Sequence, residues 1–186
     1  MSSSYRNSLN EWLAQLDVKA GVVIDIGGSQ ETMPSRVKSW QVEEYIIADL
    51  PEPHKDSPKP DVEIDLNIDA KLTPMADLVF CLEVFDYVYD PMTAFKNIAD
   101  VLKDGGTAWV SFPSIYPLHQ PVEDDALRYM PAGIVKLAQA NGLTVETVIK
   151  RRPETNLWEQ FYRVERMRAA KHEDHNFIGF IVELSK

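Results

Sequence analysis

Apolar residues recur along the chain in short runs, three of them followed at once by an acid or a glycine. The runs cover residues 22–26, 44–48, 62–66, 78–82, 107–112, 143–149 and 177–184. Each is short for a helix and suits a strand, the densest of them a strand buried on both faces. A helical period lies between several of the runs. Leu9, Trp12, Leu13 and Leu16 fall on one face ahead of the first strand, and Phe95, Ile98, Ala99 and Leu102 do so over residues 91–102. Pro91 stands at the start of that second helix and Gly105-Gly106 lies beyond its end. Residues 33–40, 131–141 and 157–170 are predicted as further helices, with Gly142 just past the fourth. Residues 51–60 hold four prolines and form a loop, as does 113–121.

Strands that alternate with helices predict an α/β fold: a doubly wound, mostly parallel seven-stranded Rossmann-like sheet. Right-handed crossovers place the C-terminal ends of parallel strands on one edge, where open α/β sheets bind ligands. Acids stand at four successive strand ends: Asp25 ahead of Gly27-Gly28, then Asp49, Asp65 and Glu83. The glycine pair permits a tight turn or the close approach of a ligand. Ser29 or Thr32 is placed to cap a following helix, and Pro34 suits its first turn.

Composition narrows the partners. The 186 residues are 45% hydrophobic and 26% charged, as expected of one globular domain spanning 1–186. A net charge of -10 repels a phosphate backbone and argues against nucleic acid. The one run of three cations, Lys150-Arg151-Arg152, reads as a solvated strand end. One cysteine, Cys81, excludes an internal disulfide and a cysteine-based metal cluster. Residues 1–10 lack a signal-peptide core and no apolar run has membrane-spanning length, so a cytoplasmic protein is expected.

The acids suggest the ligand. Asp49 lies 24 residues after Asp25, near the spacing of a ribose-binding acid, and a carboxylate accepts from both hydroxyls of a ribose. A nicotinamide dinucleotide and S-adenosylmethionine both fit at this point. The later strands decide. The segments Val23-Ile24-Asp25-Ile26-Gly27-Gly28, Ile47-Ala48-Asp49-Leu50 and Asp65-Leu66-Asn67 resemble the class I S-adenosylmethionine-dependent methyltransferases. So does residues 76–106, which runs from Ala76-Asp77-Leu78-Val79-Phe80-Cys81-Leu82-Glu83 to Leu102-Lys103-Asp104-Gly105-Gly106.

That resemblance implies an antiparallel last strand and S-adenosyl-L-methionine as cofactor. It places Asp25 among the cofactor-binding residues, Gly27, Gly28 and Ser29 at the methionine part, Asp49 and Leu50 at the ribose and adenine, and Asp65 and Leu66 at the adenine amino edge. Glu83 and Val84 border the methyl-donor end. The chain departs from the family pattern at Gln30 and Glu31, where another glycine is usual, and at Asp86-Tyr87, where Glu-His is usual.

The acceptor side falls in residues 114–129, with Tyr116 and His119 as candidate substrate-side residues. His119 is either the base for a hydroxyl acceptor or a surface histidine without a task. Arg128 is spaced to pair with Asp124 across one helical turn. The expected activity is methyl transfer to a small molecule or modest polar acceptor. The alternative is a weak or inactive S-adenosylmethionine-binding protein of the same fold. A nicotinamide enzyme is disfavoured by residues 83–106, and no metal is expected.

Overall fold

The computed structural model describes residues 4–53, 57–153 and 177–186. Helix α1, Ser4–Leu13, leads into β1, Asp17–Ile26. A single 3-10 turn, Met33–Ser35, separates β1 from β2, Ser39–Asp49. The strands β3, Val62–Glu63, and β4, Ala76–Cys81, follow, then α2, Pro91–Val101, and β5, Leu102–Pro113. Helix α3, Pro131–Ala140, and strands β6, Thr144–Arg151, and β7, Gly179–Ser185, complete the described chain.

The seven strands form one sheet in the order β3-β2-β1-β4-β5-β7-β6. The β1–β2, β1–β4, β2–β3 and β4–β5 pairs are parallel. Strand β7 runs antiparallel to both β5 and β6, as expected of the last strand. Alternate residues of each strand point to opposite faces, and two apolar clusters follow that parity. Ile24, Ile26, Val79 and Cys81 pack with α2 and α3 on one face. Val23, Phe80 and Leu82 pack with Leu9 and Leu13 of α1 on the other. Trp12 of α1 meets Trp109 of β5 at 4.9 Å between ring centres. Among the described residues, no helix is long and apolar enough to cross a membrane.

The structure corrects one predicted helix. Residues 33–40 make only the 3-10 turn, and Trp40 already lies in β2. The strands are longer than their apolar runs: Asp17 pairs with Ser39, so only residues 27–38 connect β1 to β2. A parallel crossover needs about a dozen residues or more to include a helix, and the glycine turn takes the first of these. Thr32 makes no side-chain cap, and the Met33 N–H donates instead to Tyr45 Oη at 3.1 Å. The third strand is also shorter than expected, two residues in place of 62–66, and no helix links it to β4. Asn97 of α2 holds that link. Its amide accepts from Ala70 N–H at 3.0 Å and donates to Ile68 C=O at 2.8 Å. The helix expected over 157–170 lies outside the described residues.

Helix α2 begins where Pro91 indicates, with Asp90 accepting from Thr93 N–H at 3.1 Å. It passes directly into β5, so Gly105-Gly106 lies within the strand segment and not in a loop after the helix. Cys81 is buried at the end of β4.

Candidate functional site

The C-terminal ends of β1, β2 and β4 open into a cleft of about 610 Å³ lined by Gly27, Asp49, Leu50, Asp65, Leu66, Glu83 and Val84 among others. A smaller recess of about 80 Å³ adjoins it, lined by Asp25, Gly27, Gly28, Glu83, Tyr87 and His119 together with Arg6 and Arg36. The structure thus brings most of the predicted cofactor residues to one edge. Ser29 joins them through its N–H, which donates to Asp49 Oδ2 at 3.2 Å. Tyr116 lines neither opening and instead packs 6.0 Å from the His119 ring.

Asp49 ends β2 with its Oδ1 accepting from Leu50 N–H at 2.8 Å. Each carboxylate oxygen has two acceptor sites, so capacity remains for two hydroxyls. Asp65 Oδ1 accepts from the Asn67 backbone and side chain at 2.8 and 3.1 Å. Asn67 Oδ1 in turn accepts from Tyr89 N–H at 2.8 Å and Asp90 N–H at 3.1 Å. This fastens the Asp65 loop to the β4–α2 turn. Leu50 is 44% exposed, an apolar side chain turned to the cleft, whereas Leu66 is 5% exposed and belongs to the core.

The glycine turn has internal reasons of its own. Gly27 has φ +80, and a Cβ there would collide with the Val84 side chain. A Cβ on Gly28 would collide with the Asp25 carboxylate beneath it. Asp25 is 3% exposed and accepts from Tyr45 Oη at 2.6 Å; burial pushes its carboxyl up to about 7. Beside this turn two buried polar atoms lack a hydrogen-bond partner among the described residues, Ser29 Oγ and Arg36 Nε. Glu31 lies 3.3 Å from Arg6 and 3.7 Å from Arg36. Its charge is therefore opposed by two cations.

Glu83 occupies a left-handed conformation, φ 61, that a non-glycine residue adopts only when its surroundings hold it there. Its N–H donates to Ser111 Oγ at 2.7 Å, and that hydroxyl donates back to Glu83 Oε1 at 2.9 Å. Arg151, from β6, forms an ion pair with the same carboxylate and also donates to Ser8 of α1 at 3.4 Å. Arg151 is 1% exposed, so the reading of residues 150–152 as a solvated strand end fails at its middle residue. No local signal marks it, because its partner lies 68 residues away. Arg6 and Arg36 were missed for a related reason: they reach the recess from α1 and the 3-10 turn.

On the acceptor side, Arg128 pairs with Asp125 through two contacts of 2.6 Å, and not with Asp124. This holds the Asp125 carboxyl below its ordinary range. Burial, with Glu83 beside it, pushes the Asp86 carboxyl up to about 7. Burial likewise raises the Tyr87 phenol to about 12. No group of three or more metal-ligating side chains occurs among the described residues.

The sheet order and the single antiparallel strand define the fold of the class I S-adenosylmethionine-dependent methyltransferases. The comparisons agree. A methyltransferase-domain model matches residues 51–110. Among solved structures, one component of a complex between a Haloferax volcanii methyltransferase activator and a candidate methyltransferase superposes with a TM-score of 0.65. It is 15% identical, over 98% of this chain and 88% of that one. A Mesorhizobium loti S-adenosylmethionine-dependent methyltransferase gives 0.61 at 12% identity, over 100% and 99% of the two chains. A Haemonchus contortus phosphoethanolamine N-methyltransferase, solved with S-adenosyl-L-methionine, gives 0.58 at 15% identity; it matches 97% of this chain and 52% of that one. No curated protein matches the chain by sequence.

Proposed function

We propose that the protein is an S-adenosylmethionine-dependent methyltransferase acting on a small or modest polar acceptor. The observation that carries this is the cleft itself. Asp49 and Asp65 line it, Arg36 lines the adjoining recess, and two buried polar atoms beside them, Ser29 Oγ and Arg36 Nε, have no hydrogen-bond partner among the described residues. The residues fit the cofactor. Asp49 takes the ribose hydroxyls, Leu50 packs on the adenine, and Asp65 accepts from its amino group. Gly27, Gly28 and Ser29 border the methionine part, with Arg36 and Arg6 toward its carboxylate. Glu83 and Val84 stand at the methyl-donor end. The cofactor supplies an electrophilic methyl group; the protein aligns an acceptor with it and excludes water.

A cleft of about 610 Å³ suits a small-molecule pair, and its acidic lining disfavours nucleic acid. One domain then carries the whole site. The lone buried cysteine agrees with a cytoplasmic setting. A specific feature favours the second reading, a weak or inactive binding protein: Val84 packs directly on Gly27, at the place a cofactor would approach.

Calorimetric titration with S-adenosylmethionine, S-adenosylhomocysteine and NAD tests the assignment. The thioether and the sulfonium are expected to bind and NAD is not. Saturating heat from NAD alone would replace the assignment with a nicotinamide-dependent one.

A further inference from the structure

The loop at residues 114–130 meets the β4–α2 turn through His119. Tyr87 Oη lies 2.5 Å from His119 Nδ1 and 2.6 Å from the carbonyl oxygen of Gln120. A phenol has one proton, and a carbonyl only accepts. The phenol therefore donates to Gln120, and His119 must carry its own proton on Nδ1 and donate it to Tyr87. The neutral ring is left with its lone pair on Nε2.

Asp86 Oδ2 stands 3.6 Å from the same Nδ1, so a carboxylate faces the edge of the ring that becomes positive on protonation. Asp86 is 2% exposed and its Oδ1 has no hydrogen-bond partner among the described residues. The backbone of His119 is fixed as well: its N–H donates to Asp125 Oδ2 at 2.8 Å. Arg128 anchors that Asp125. Nothing among the described residues bonds Nε2, and the ring lines the recess that also holds Gly28 and Glu83.

We propose that His119 is the general base of the reaction and that the acceptor is an uncharged hydroxyl. Asp86 and Tyr87 are positioning residues that set the ring and its tautomer. The proposal rests on the cofactor reading above. The acceptor O–H bond breaks as its proton passes to His119 Nε2. The acceptor oxygen forms the new O–CH3 bond, and the methyl carbon–sulfur bond breaks with its electron pair returning to sulfur. A positive charge thus leaves the sulfonium and appears on the imidazolium, and the acids of the cleft face one cation before and after.

The charge of the cleft selects the acceptor. The cleft lining includes Glu52, Glu123 and Asp124 in addition to the cofactor acids, and no lysine or arginine among the described residues. The recess beside His119 sets Arg6 and Arg36 against Asp25, Glu31 and Glu83, and both arginines pair with Glu31, so an anionic acceptor is repelled as it enters through the cleft. An ammonium group is attracted, but nearby carboxylates favour its charged form and so withhold the lone pair that must attack. A neutral hydroxyl meets neither obstacle and needs the base that His119 provides.

Four measurements test this. Nitrogen-15 NMR of histidine-labelled protein, above the imidazole titration, is expected to show His119 protonated on Nδ1; a proton on Nε2 would overturn the proposal. Methyl-labelled S-adenosylmethionine is then offered with a phenol, a benzyl alcohol, a benzylamine and a benzoate as probes. Label is expected on the hydroxyl probes, and label confined to the amine or the carboxylate would refute the acceptor class, as would no transfer to either hydroxyl.

His119→Asn keeps a donor near Nδ1 and has no base. It is expected to bind S-adenosylhomocysteine like wild type and to lose about a hundredfold or more in transfer. Unchanged transfer would dispose of the base. Tyr87→Phe and Asp86→Asn are expected to shift the rising limb of the rate–pH profile, which a merely structural role would leave in place. The groups that shape that limb are Glu83, Asp86 and Tyr87 from the β4–α2 turn and Tyr116, Asp124, Asp125 and Arg128 from the loop. Asp25, Glu31, Arg6 and Arg36 across the recess contribute too. If wild type has no affinity for S-adenosylhomocysteine, the cofactor reading falls and takes the proposal with it. If that affinity is present and the hydroxyl or base result fails, only the proposal falls.

Discussion

The two ends of the cleft are built from different materials. The end that we propose for adenosine takes one acid from each of two strand ends, Asp49 and Asp65, each fixed by backbone N–H groups of its own loop. The end that we propose for methionine has no helix to offer its N-terminal amides, because the β1–β2 connection is spent on a 3-10 turn. Cations take the place of those amides: Arg36 from the turn and Arg6 from α1 line the recess. Positive potential at a helix start comes from unpaired N–H groups; here it comes from formal charge. The consequence is a site whose adenosine end depends on the sheet and whose methionine end depends on α1 staying docked.

Arg151 ties those two supports together, and its loss is expected to have the largest effect. It pairs with Glu83 at the junction of the two openings and reaches Ser8 of α1. Removing one partner of a buried ion pair costs about 3–5 kcal/mol. Glu83 keeps 24% of its side chain exposed, which puts Arg151→Met at the low end of that range. Urea unfolding measures it, and Arg151→Met with Glu83→Gln is expected to recover much of the loss. A single variant as stable as wild type would show that α1 and the sheet are held by packing alone.

A second stability effect belongs to the methionine end. The Asp25 carboxyl stands near 7 in the fold against 3.8 as its ordinary value. The folded chain therefore binds a proton that the unfolded chain releases between those values. Stability contributed by the protonated form is full below about pH 4 and is lost as pH rises through about 7. Asp86 adds to the slope in the same direction. Unfolding free energies of Asp25→Asn against pH are expected to be flatter over that window; an unchanged slope would place its source elsewhere.

Binding separates the ends more directly. Asp49→Ala is expected to weaken S-adenosylhomocysteine by about 1.5–3 kcal/mol for each hydrogen bond lost to the charged group. It should weaken adenosine alone by the same amount. Arg36→Ala removes a single contact of that kind, so its effect on S-adenosylhomocysteine is expected near the bottom of the same range, with adenosine unaffected. Calorimetry with the two ligands checks both. If adenosine loses affinity in Arg36→Ala, the two ends are not independent.

That Asp49, Leu50, Asp65 and Leu66 gather at one edge of the sheet was legible in the sequence because each is local to a strand end. An acid that closes an apolar run marks a strand end, and four such runs in succession fix the edge where ligands bind. The methionine end was not, for two reasons. Apolar periodicity marks the buried core of a strand and misses its polar extension, so β1 and β2 grew at the expense of the expected helix. The cations arrive through tertiary contacts that no spacing records. Gly27 and Gly28 show the limit of a motif even where it is correctly found. Val84 and Asp25 already require them to lack a Cβ, so their presence does not by itself report a ligand. His119 stood between two readings in the sequence, and the contacts of its Nδ1 are the ground on which we propose the base.

The smallest expected effect lies at Glu31, a negatively charged side chain where another glycine is usual in the methyltransferases that the sequence resembles. Glu31 has 49% of its side chain exposed and faces Arg6 at 3.3 Å and Arg36 at 3.7 Å. Its charge therefore competes for the two cations more than it opposes the ligand directly. Glu31→Gln removes the competitor and keeps the shape, so S-adenosylhomocysteine should bind more tightly, by about 0.5 kcal/mol for an exposed pair. The gain should shrink as salt rises, because screening acts on exposed charges. It should vanish in the Arg36→Ala background, since a competitor for an absent cation has nothing to release. Titrations at two ionic strengths in both backgrounds distinguish the cases. A gain that survives Arg36→Ala would mean direct repulsion by Glu31, and a gain indifferent to salt would mean that the side chain acts by its bulk.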